Sequence, residues 1–393
     1  MLYKKVEKYM KKIVMICPRY VATISGVETY IEALMEYLCQ QYEVHLITRK
    51  EKIIRHINEK VQIHFVEGFN SLDINIYTAL SQLKNIIKKI NPDLVHIHCC
   101  MSLFLYNSVI LQEEYPVVVT MHSTPDGYSR LFGWFNDYET EKRFCRTLFS
   151  KSKIEALIFG SQYYMSQYLQ VCPEMNNAKH VYVNRYFSNL PEVTFEQYKT
   201  EYLKRNNKEK KKIHILFPSR IIQRKGIEEA LLILKKLPDS FVMDIPALSH
   251  SENVIYTNQV HKLIEKYGLT HRIFAPNQII FGENMFDYYR KADIVLIPSI
   301  YEGFGIVAVE AMNCCVPVFT TCAGGLSEII IDKYNGVKID LNNIELAAKK
   351  IVDFISDTEI CEKTILNAKR TVYEKFSKQR HMQCIDEIYG DIL

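Results

Sequence analysis

The segment from 294 to 312 has the sequence IVLIPSIYEGFGIVAVEAM. Its first four residues are apolar and Pro298 follows them, which predicts a buried strand that ends at the proline. The apolar run from 304 to 312 then predicts a helix. Gly303 and Gly305 lie in the turn between the two, where a residue without a Cβ atom lets a ligand approach the backbone. The segment therefore predicts a strand, a ligand-binding turn and a helix in succession.

Two carboxylates belong to this segment. Glu302 lies in the turn, and Glu310 lies about two helical turns further along the chain. The free N–H groups at the start of a helix favour an anion beside them. A simpler interpretation is also open, in which Glu310 is a solvated helix carboxylate and the glycines only form the turn.

Strands and helices alternate along the whole chain, which predicts parallel sheets with crossover helices. A first series runs from the strand at 13–17 to the strand at 180–183, and a second series starts at 213–217. Between them, the charged run at 204–212 has no apolar periodicity and predicts a solvated linker. We therefore predict an α/β protein with two doubly wound domains, 1–205 and 206–375, whose ligands bind at the carboxyl ends of the strands.

Composition and charge exclude several classes of protein. A net charge of +4 over 393 residues gives no reason to expect nucleic acid as a partner. No apolar run reaches the roughly 18 residues of a membrane span, and lysines interrupt the N-terminus where a secretory signal needs apolar residues. We therefore expect a cytoplasmic protein. The lysines from 4 to 12 suit either a peripheral contact with an anionic membrane surface or a solvated helix face.

Cysteines and histidines do not form a metal-binding pattern. The 11 cysteines are odd in number and include no Cys-x-x-Cys pair, so neither a disulfide framework nor a zinc site is predicted. His96 and His98 lie on one face of a strand and two cysteines follow them, but no carboxylate or third nitrogen lies at a fixed spacing. We predict that the chain holds no metal.

Two cations flank the turn that follows the strand at 213–217. Arg220 and Lys225 could neutralise an anion such as a diphosphate, the arginine through its planar fork and the lysine as a compact charge. They could equally be solvated surface cations, with Gly226 as a turn residue.

Three further turns carry candidate site residues. Gly324 and Gly325, after Ala323, open a helix whose amides could face a phosphate or a sugar, or could simply form a turn. Gly26 lies between the first strand and its helix. His122 follows the strand at 117–120, where a lone histidine is more often structural.

Together these segments resemble the retaining glycosyltransferases of family 4, of the group 1 type, which have the GT-B fold. The matching words are Pro298-Ser299, Glu302-Gly303-Phe304-Gly305, Glu310-Ala311-Met312, Pro317-Val318 and Gly324-Gly325. Arg220, Lys225 and Gly226 match the family's Gly-Arg-x4-Lys-Gly clamp, although Ser219 replaces its first glycine. Of the family's Gly-Gly-x-Glu loop only the second glycine, Gly26, and Glu28 are kept. The resemblance implies two Rossmann-like domains on either side of a cleft, with 376–393 packed back on the first domain.

The resemblance also implies a reaction. A hexosyl or N-acetylhexosaminyl group would move from a nucleotide diphosphate sugar, with uracil the favoured base, to an acceptor hydroxyl, with retention and without a metal or other cofactor. It implies catalytic roles for His122, Arg220, Lys225 and Glu302, and ribose binding by Glu310. The implied donor-binding residues are Gly26, Arg220, Lys225, Glu302, Gly303, Phe304, Gly305, Ile306, Glu310, Ala323, Gly324 and Gly325.

Two other functions stay open at this point. A non-catalytic partner subunit of the same fold would explain Ser25 and, in the Asn184-Arg185 region, Arg185, which depart from the family pattern. A sugar-nucleotide epimerase would need a carboxylate and histidine set that the sequence does not identify. The acceptor is undetermined, since the aromatic residues around Trp134 suit an acceptor wall and a core patch equally well.

Overall fold

The computed structural model describes residues 10–17, 26–49, 58–67, 76–99, 115–122, 146, 149–150, 153–206, 212–250, 253–277, 280 and 284–393. The chain forms two compact units. Unit 1 consists of Met1–Asn184 together with Met382–Leu393, and unit 2 consists of Arg185–His381.

Unit 1 is built on a seven-stranded sheet with the order β3-β2-β1-β4-β5-β6-β7. Every neighbouring pair is parallel. Described helices of this unit are α1, α2 and α3, and most of the last helix of the chain, α12, belongs to it as well. The strands are β1 Lys12–Ile16, β2 Glu43–Arg49, β3 Gln62–Val66, β4 Leu94–Cys99, β5 Val117–Met121, β6 Ala156–Phe159 and β7 His180–Val183. The helices are α1 Gly26–Leu38, α2 Ile76–Ile90, α3 Gln162–Val171 and α12 Lys378–Ile392.

Unit 2 repeats the same plan with a six-stranded parallel sheet of order β10-β9-β8-β11-β12-β13. Its strands are β8 Ile213–Leu216, β9 Phe241–Asp244, β10 Ile273–Phe274, β11 Ile294–Ile297, β12 Val318–Thr320 and β13 Val337–Lys338. Its helices are α4 Phe195–Asn206, α5 Ile227–Lys236, α6 Val254–Lys266, α7 Asn284–Lys291, α8 Ile306–Asn313, α9 Leu326–Ile329, α10 Ile344–Ser356 and α11 Thr358–Lys375.

The central strands are apolar because both faces of each sheet are covered, which is the usual state of a parallel sheet. All four residues of β11 are buried, and so are all five of β5. The strand order reverses between β1 and β4 in unit 1 and between β8 and β11 in unit 2. Both sheets confirm the predicted doubly wound α/β architecture, and each reversal marks the position where such sheets bind ligands.

The boundary of unit 2 lies earlier in the chain than the predicted linker. The segment after Asn184 packs on α8, where the Asn313 side chain donates a hydrogen bond to the Leu190 carbonyl (3.1 Å). Lys369 of α11 bonds to both Glu192 and the Asn313 carbonyl. The charged run predicted as a linker begins inside α4, which ends at Asn206, and 207–211 lie outside the described residues.

Asn313→Ala should lower the free energy of unfolding of unit 2 by about 1–3 kcal/mol, because the buried Leu190 carbonyl loses its side-chain donor. Urea unfolding followed by circular dichroism measures the change. Asn342→Ala is the control, because that side chain is exposed and its loss should cost less than about 0.5 kcal/mol. Equal effects of the two substitutions would contradict the role given to Asn313.

Candidate active site

The turns after β8 and β11 lie side by side at the point where the strand order of unit 2 reverses. The two strands are parallel neighbours, with Ile294 opposite Ile215, so their carboxyl ends meet at one edge of the sheet. Lys225 Nζ from the first turn donates a hydrogen bond to Glu302 Oε2 from the second. Both side chains are about nine-tenths buried. The structure thus joins two of the predicted site residues in one ion pair.

Two hydrogen bonds to backbone carbonyls hold these turns together beside the ion pair. The Ile300 amide donates to the Arg224 carbonyl (2.9 Å), and the Arg224 guanidinium donates to the Tyr301 carbonyl (3.1 Å). Arg220, at the start of the first turn, is exposed. The turns therefore place three cations, Arg220, Arg224 and Lys225, around one carboxylate.

The charges of this cluster shift the pKa of both partners. Burial alone would raise the pKa of Glu302, but Lys225, Arg224 and a hydrogen bond from the Gly303 amide outweigh it, so the pKa lies below its usual range. Burial lowers the pKa of Lys225, and Arg224 and Arg220 lower it further while Glu302 opposes them. Glu302 is thus ionised at neutral pH, and the site has an excess of positive charge that an anion would relieve.

Glycines allow the turns to pack this closely. Gly226 has φ +73°, and a Cβ atom on it would lie 1.9 Å from the Pro298 carbonyl oxygen. A Cβ atom on Gly325 would lie 2.0 Å from the Gly303 carbonyl oxygen, and the Gly325 amide donates to the Glu302 carbonyl (3.0 Å). Gly325 is therefore explained by packing, and its amide is already engaged within the protein. Ala323 and Gly324 precede it in the same turn after β12.

Phe304 and Ile306 differ in what they can offer a ligand. The Phe304 ring is buried and packs edge-on against Tyr186 and Phe376, with ring centroids 5.3 and 6.0 Å away. Its side chain belongs to the core, so Phe304 can contact a ligand only through its backbone. Ile306 is the first residue of α8 and follows Gly305, whose φ is +95°.

Glu310 lies on α8 and accepts a hydrogen bond from the hydroxyl of Tyr289 on α7 (2.7 Å, to Oε2). Burial raises the pKa of Glu310 to about 7, although the Tyr289 hydrogen bond acts in the opposite direction. Sequence reasoning did not single out Tyr289, since one tyrosine in an amphipathic helix carries no functional signal.

Unit 1 brings His122 together with the histidines of β4. The Nδ1 atom of the buried His98 lies 3.0 Å from His122 Nε2, and the Tyr164 hydroxyl donates to the His122 carbonyl (3.2 Å). Beyond His98, the ring of His96 bridges the Thr120 and Tyr389 hydroxyls, at 2.7 Å each. Burial lowers the pKa of His98 well below its usual range, and His96 and His122 lower it further, so His98 is neutral.

The remaining predicted residues of unit 1 are only partly covered by the structure. Gly26 is described as the exposed first residue of α1. Ser25, Trp134 and the first nine residues lie outside the described residues. Within the described ranges, no group of three or more His, Cys, Asp or Glu side chains could hold a metal ion, and no helix is long and apolar enough to cross a membrane.

Comparison with known proteins identifies the family. A model described as "Glycosyl transferases group 1" matches residues 199–371, and one described as "Glycosyltransferase Family 4" matches residues 24–173. The chain belongs to the group 1 glycosyltransferases of family 4. The first match covers every predicted site residue of unit 2, and the second covers Gly26 and His122.

The relatives match this chain over different lengths. An uncharacterized glycosyltransferase of Methanocaldococcus jannaschii, MJ1178, is 25% identical over 95% of this chain and 96% of its own. A second from that organism, MJ1607, is 33% identical over 42% of this chain, a match that spans 41% of its own length. Among solved structures, Anabaena HepE in complex with UDP and glucose has a TM-score of 0.77 at 18% identity, covering 97% of this chain and 100% of that one. The GT-B architecture of the family is thus the fold of this glycosyltransferase.

Gly226→Ala should destabilise unit 2 by more than the roughly 1–2 kcal/mol that a positive φ costs a residue with a Cβ atom. The added carbon collides with the Pro298 carbonyl, a backbone atom that cannot move aside without displacing β11. Gly268→Ala is the matched control, since Gly268 has φ +72° with nothing within 4 Å of the added carbon. Urea unfolding of both variants isolates the collision, and equal losses of stability would disprove it.

Stability should depend on pH through Glu310. Its pKa of about 7 in the folded protein lies above the ordinary value of 4.5, so folding favours the protonated form. Relative to Glu310→Gln, the wild type should therefore lose stability as the pH rises from about 4.5 through about 7, and the difference should level off above that. Thermal unfolding of both proteins between pH 4.5 and 8.5 measures it, and a pH-independent difference would refute the raised pKa.

Proposed function

We propose that this protein transfers a hexosyl or N-acetylhexosaminyl group from a nucleotide diphosphate sugar to an acceptor hydroxyl, with retention at the anomeric carbon. The observation that carries the proposal is the buried pair of Lys225 and Glu302, surrounded by Arg220 and Arg224 at the strand reversal of unit 2. A cluster with more cations than anions at this position suits a ligand that carries a diphosphate.

The diphosphate is the leaving group of this reaction. As the bond to the anomeric carbon breaks, negative charge grows on the β-phosphate, and fixed cations stabilise it most effectively inside a buried site. Lys225 and Arg220 supply that charge, the lysine as a point charge and the arginine through two parallel hydrogen bonds. Because these side chains can take the electrostatic role of a divalent cation, we propose a reaction that needs no metal.

Glu302 has a different task. Lys225 and Arg224 keep its carboxylate ionised, so it accepts hydrogen bonds from the hydroxyls of the transferred sugar. It is a binding group and not the nucleophile, because Lys225 already holds one of its oxygens. The acceptor attacks from the face on which the diphosphate leaves, and the departing phosphate takes the acceptor proton.

We also propose a role in sugar transfer for His122 of unit 1. Its Nε2 atom meets His98 Nδ1, and a neutral His98 with its proton on Nδ1 donates to it. This hydrogen bond makes His122 Nε2 the acceptor and fixes the orientation of the His122 ring.

UDP is the first nucleotide to test. HepE, whose fold this chain shares, has been solved with UDP and with UDP-glucose. A non-catalytic partner subunit would need none of the charged groups around Glu302, so their occurrence in one cluster supports an enzyme.

Binding of UDP, UDP-glucose, UDP-N-acetylglucosamine, GDP-mannose and ADP-glucose, measured by calorimetry with EDTA present, tests the proposal. We expect one sugar nucleotide to bind. Lys225→Met combined with Glu302→Gln, which removes the pair without leaving one buried charge alone, should weaken its binding at least about tenfold. The double variant should also abolish transfer of the sugar.

The matched control is Lys236→Ala. Lys236 forms an exposed ion pair with Glu345 in the same unit, so its loss should leave nucleotide binding unchanged. Unchanged binding by a folded Lys225→Met, Glu302→Gln variant would overturn the proposed diphosphate site. Binding of no nucleotide by the wild type would overturn the proposed function altogether.

A further inference from the structure

Tyr289 is a fully buried residue whose hydroxyl points at a candidate site group. It lies on α7, and its hydroxyl donates to Glu310 Oε2 at 2.7 Å, across to α8. A buried phenol without a partner would cost about 1–3 kcal/mol, so the hydrogen bond fixes both side chains. Tyrosine has only two side-chain torsions, and a buried ring holds its hydroxyl in one place.

The other oxygen of this carboxylate is available. Within the part of the chain that the structure describes, Glu310 Oε1 has no hydrogen bond, and Glu310 is partly exposed. Nor does any described lysine or arginine form an ion pair with Glu310. The groups beside it are Tyr289 from α7 and Cys314, which follows the last residue of α8, and Arg290 and Lys369 act on that cysteine.

A carboxylate in this state has a definite preference for ligands. One oxygen is held by a neutral donor, and the second can accept two further hydrogen bonds. Two adjacent hydroxyls on one sugar ring can satisfy it together, whereas a ring with one hydroxyl leaves it half satisfied. Glu310 lies on α8, which begins directly after the turn that carries Glu302 in the proposed donor site, so we take the sugar in question to be the ribose of the nucleotide.

We infer that Tyr289 is a positioning residue that fixes Glu310 so that its free oxygen accepts both ribose hydroxyls, and thereby makes the site select ribonucleotides over 2′-deoxyribonucleotides. This inference rests on the proposed function, because it needs a nucleotide in unit 2. Tyr289 itself does not touch the nucleotide and acts through Glu310.

The Tyr289 hydroxyl also affects the charge of Glu310. Burial raises the pKa of Glu310 to about 7, and the hydrogen bond from Tyr289 opposes burial because it favours the ionised carboxylate. Removing the hydroxyl should raise that pKa further. Because the ionised form accepts hydrogen bonds best, affinity for a ribonucleotide should increase with pH through this range, and the increase should move to higher pH without the hydroxyl.

Tyr289→Phe keeps the ring and removes only the hydroxyl. Calorimetry with UDP and with 2′-deoxy-UDP, from pH 6 to 8.5, measures the selectivity. We expect the wild type to prefer UDP, and Tyr289→Phe to lose about two- to tenfold of its UDP affinity at pH 7, the contribution of one hydrogen bond. Affinity for 2′-deoxy-UDP should change less, so that the ratio of the two dissociation constants shrinks.

Tyr256→Phe is the matched control. The Tyr256 hydroxyl also donates to a glutamate, Glu228 Oε1 at 2.9 Å, on other helices of the same unit. Tyr256→Phe removes the same kind of hydrogen bond, so the UDP selectivity and pH profile of this variant should remain those of the wild type.

The outcomes separate the inference from the function on which it rests. If the wild type binds UDP and Tyr289→Phe keeps its selectivity and pH profile, the role of Tyr289 is overturned while the nucleotide site stands. If Tyr289→Phe fails to fold, Glu310→Gln decides, and unchanged selectivity in that variant overturns the inference. If the wild type binds neither nucleotide, the inference and the proposed function fail together.

Discussion

The ion pair between Lys225 and Glu302 is the interaction on which the candidate site depends. Removing two charges from water costs several kcal/mol for each ion, and only close contact and further hydrogen bonds recover that cost. The turns after β8 and β11 meet these conditions, because Arg224 fastens them through the Ile300 amide and the Tyr301 carbonyl. Gly226 and Gly325 make the contact possible, since a side chain on either would collide with a neighbouring backbone.

Both units bury polar side chains near their central strands, but the residues that they bury differ. At the strand reversal of unit 2, charged groups are buried and paired, which suits the recognition of an anion. In unit 1, His96 and His98 of β4 and His122 after β5 form a row of imidazoles. Burial keeps His98, the middle ring of this row, neutral. A neutral imidazole such as His98 offers directed hydrogen bonds without adding charge to its unit.

The sequence allowed most of the sheet architecture to be predicted, because buried parallel strands are short apolar runs. The strands His180–Val183 and Ile294–Ile297 have the predicted bounds. Helices α6 and α11 were not predicted, and exposed apolar residues such as Val254 and Tyr373 blur their periodicity. In the site, residue type identified Lys225 and Glu302 but not their pairing, which arises only when β8 and β11 become neighbours. Residue type also could not reveal that the Phe304 ring faces the core or that Tyr289 faces Glu310.

The path of the last helix has a consequence for how the chain is made. α12 begins in unit 2, yet from Met382 onward it belongs to unit 1, where Tyr389 meets His96 and Tyr37 meets Asp386. A ribosome completes Asn184 well before it reaches Met382, and at roughly 5–20 residues per second the interval is on the order of ten to forty seconds. During that time the nascent first unit has its strands but lacks the helix that covers the His96 ring. The core of unit 1 can therefore be completed only after unit 2 has been synthesised. Most of unit 1 is synthesised first, yet its core is completed last.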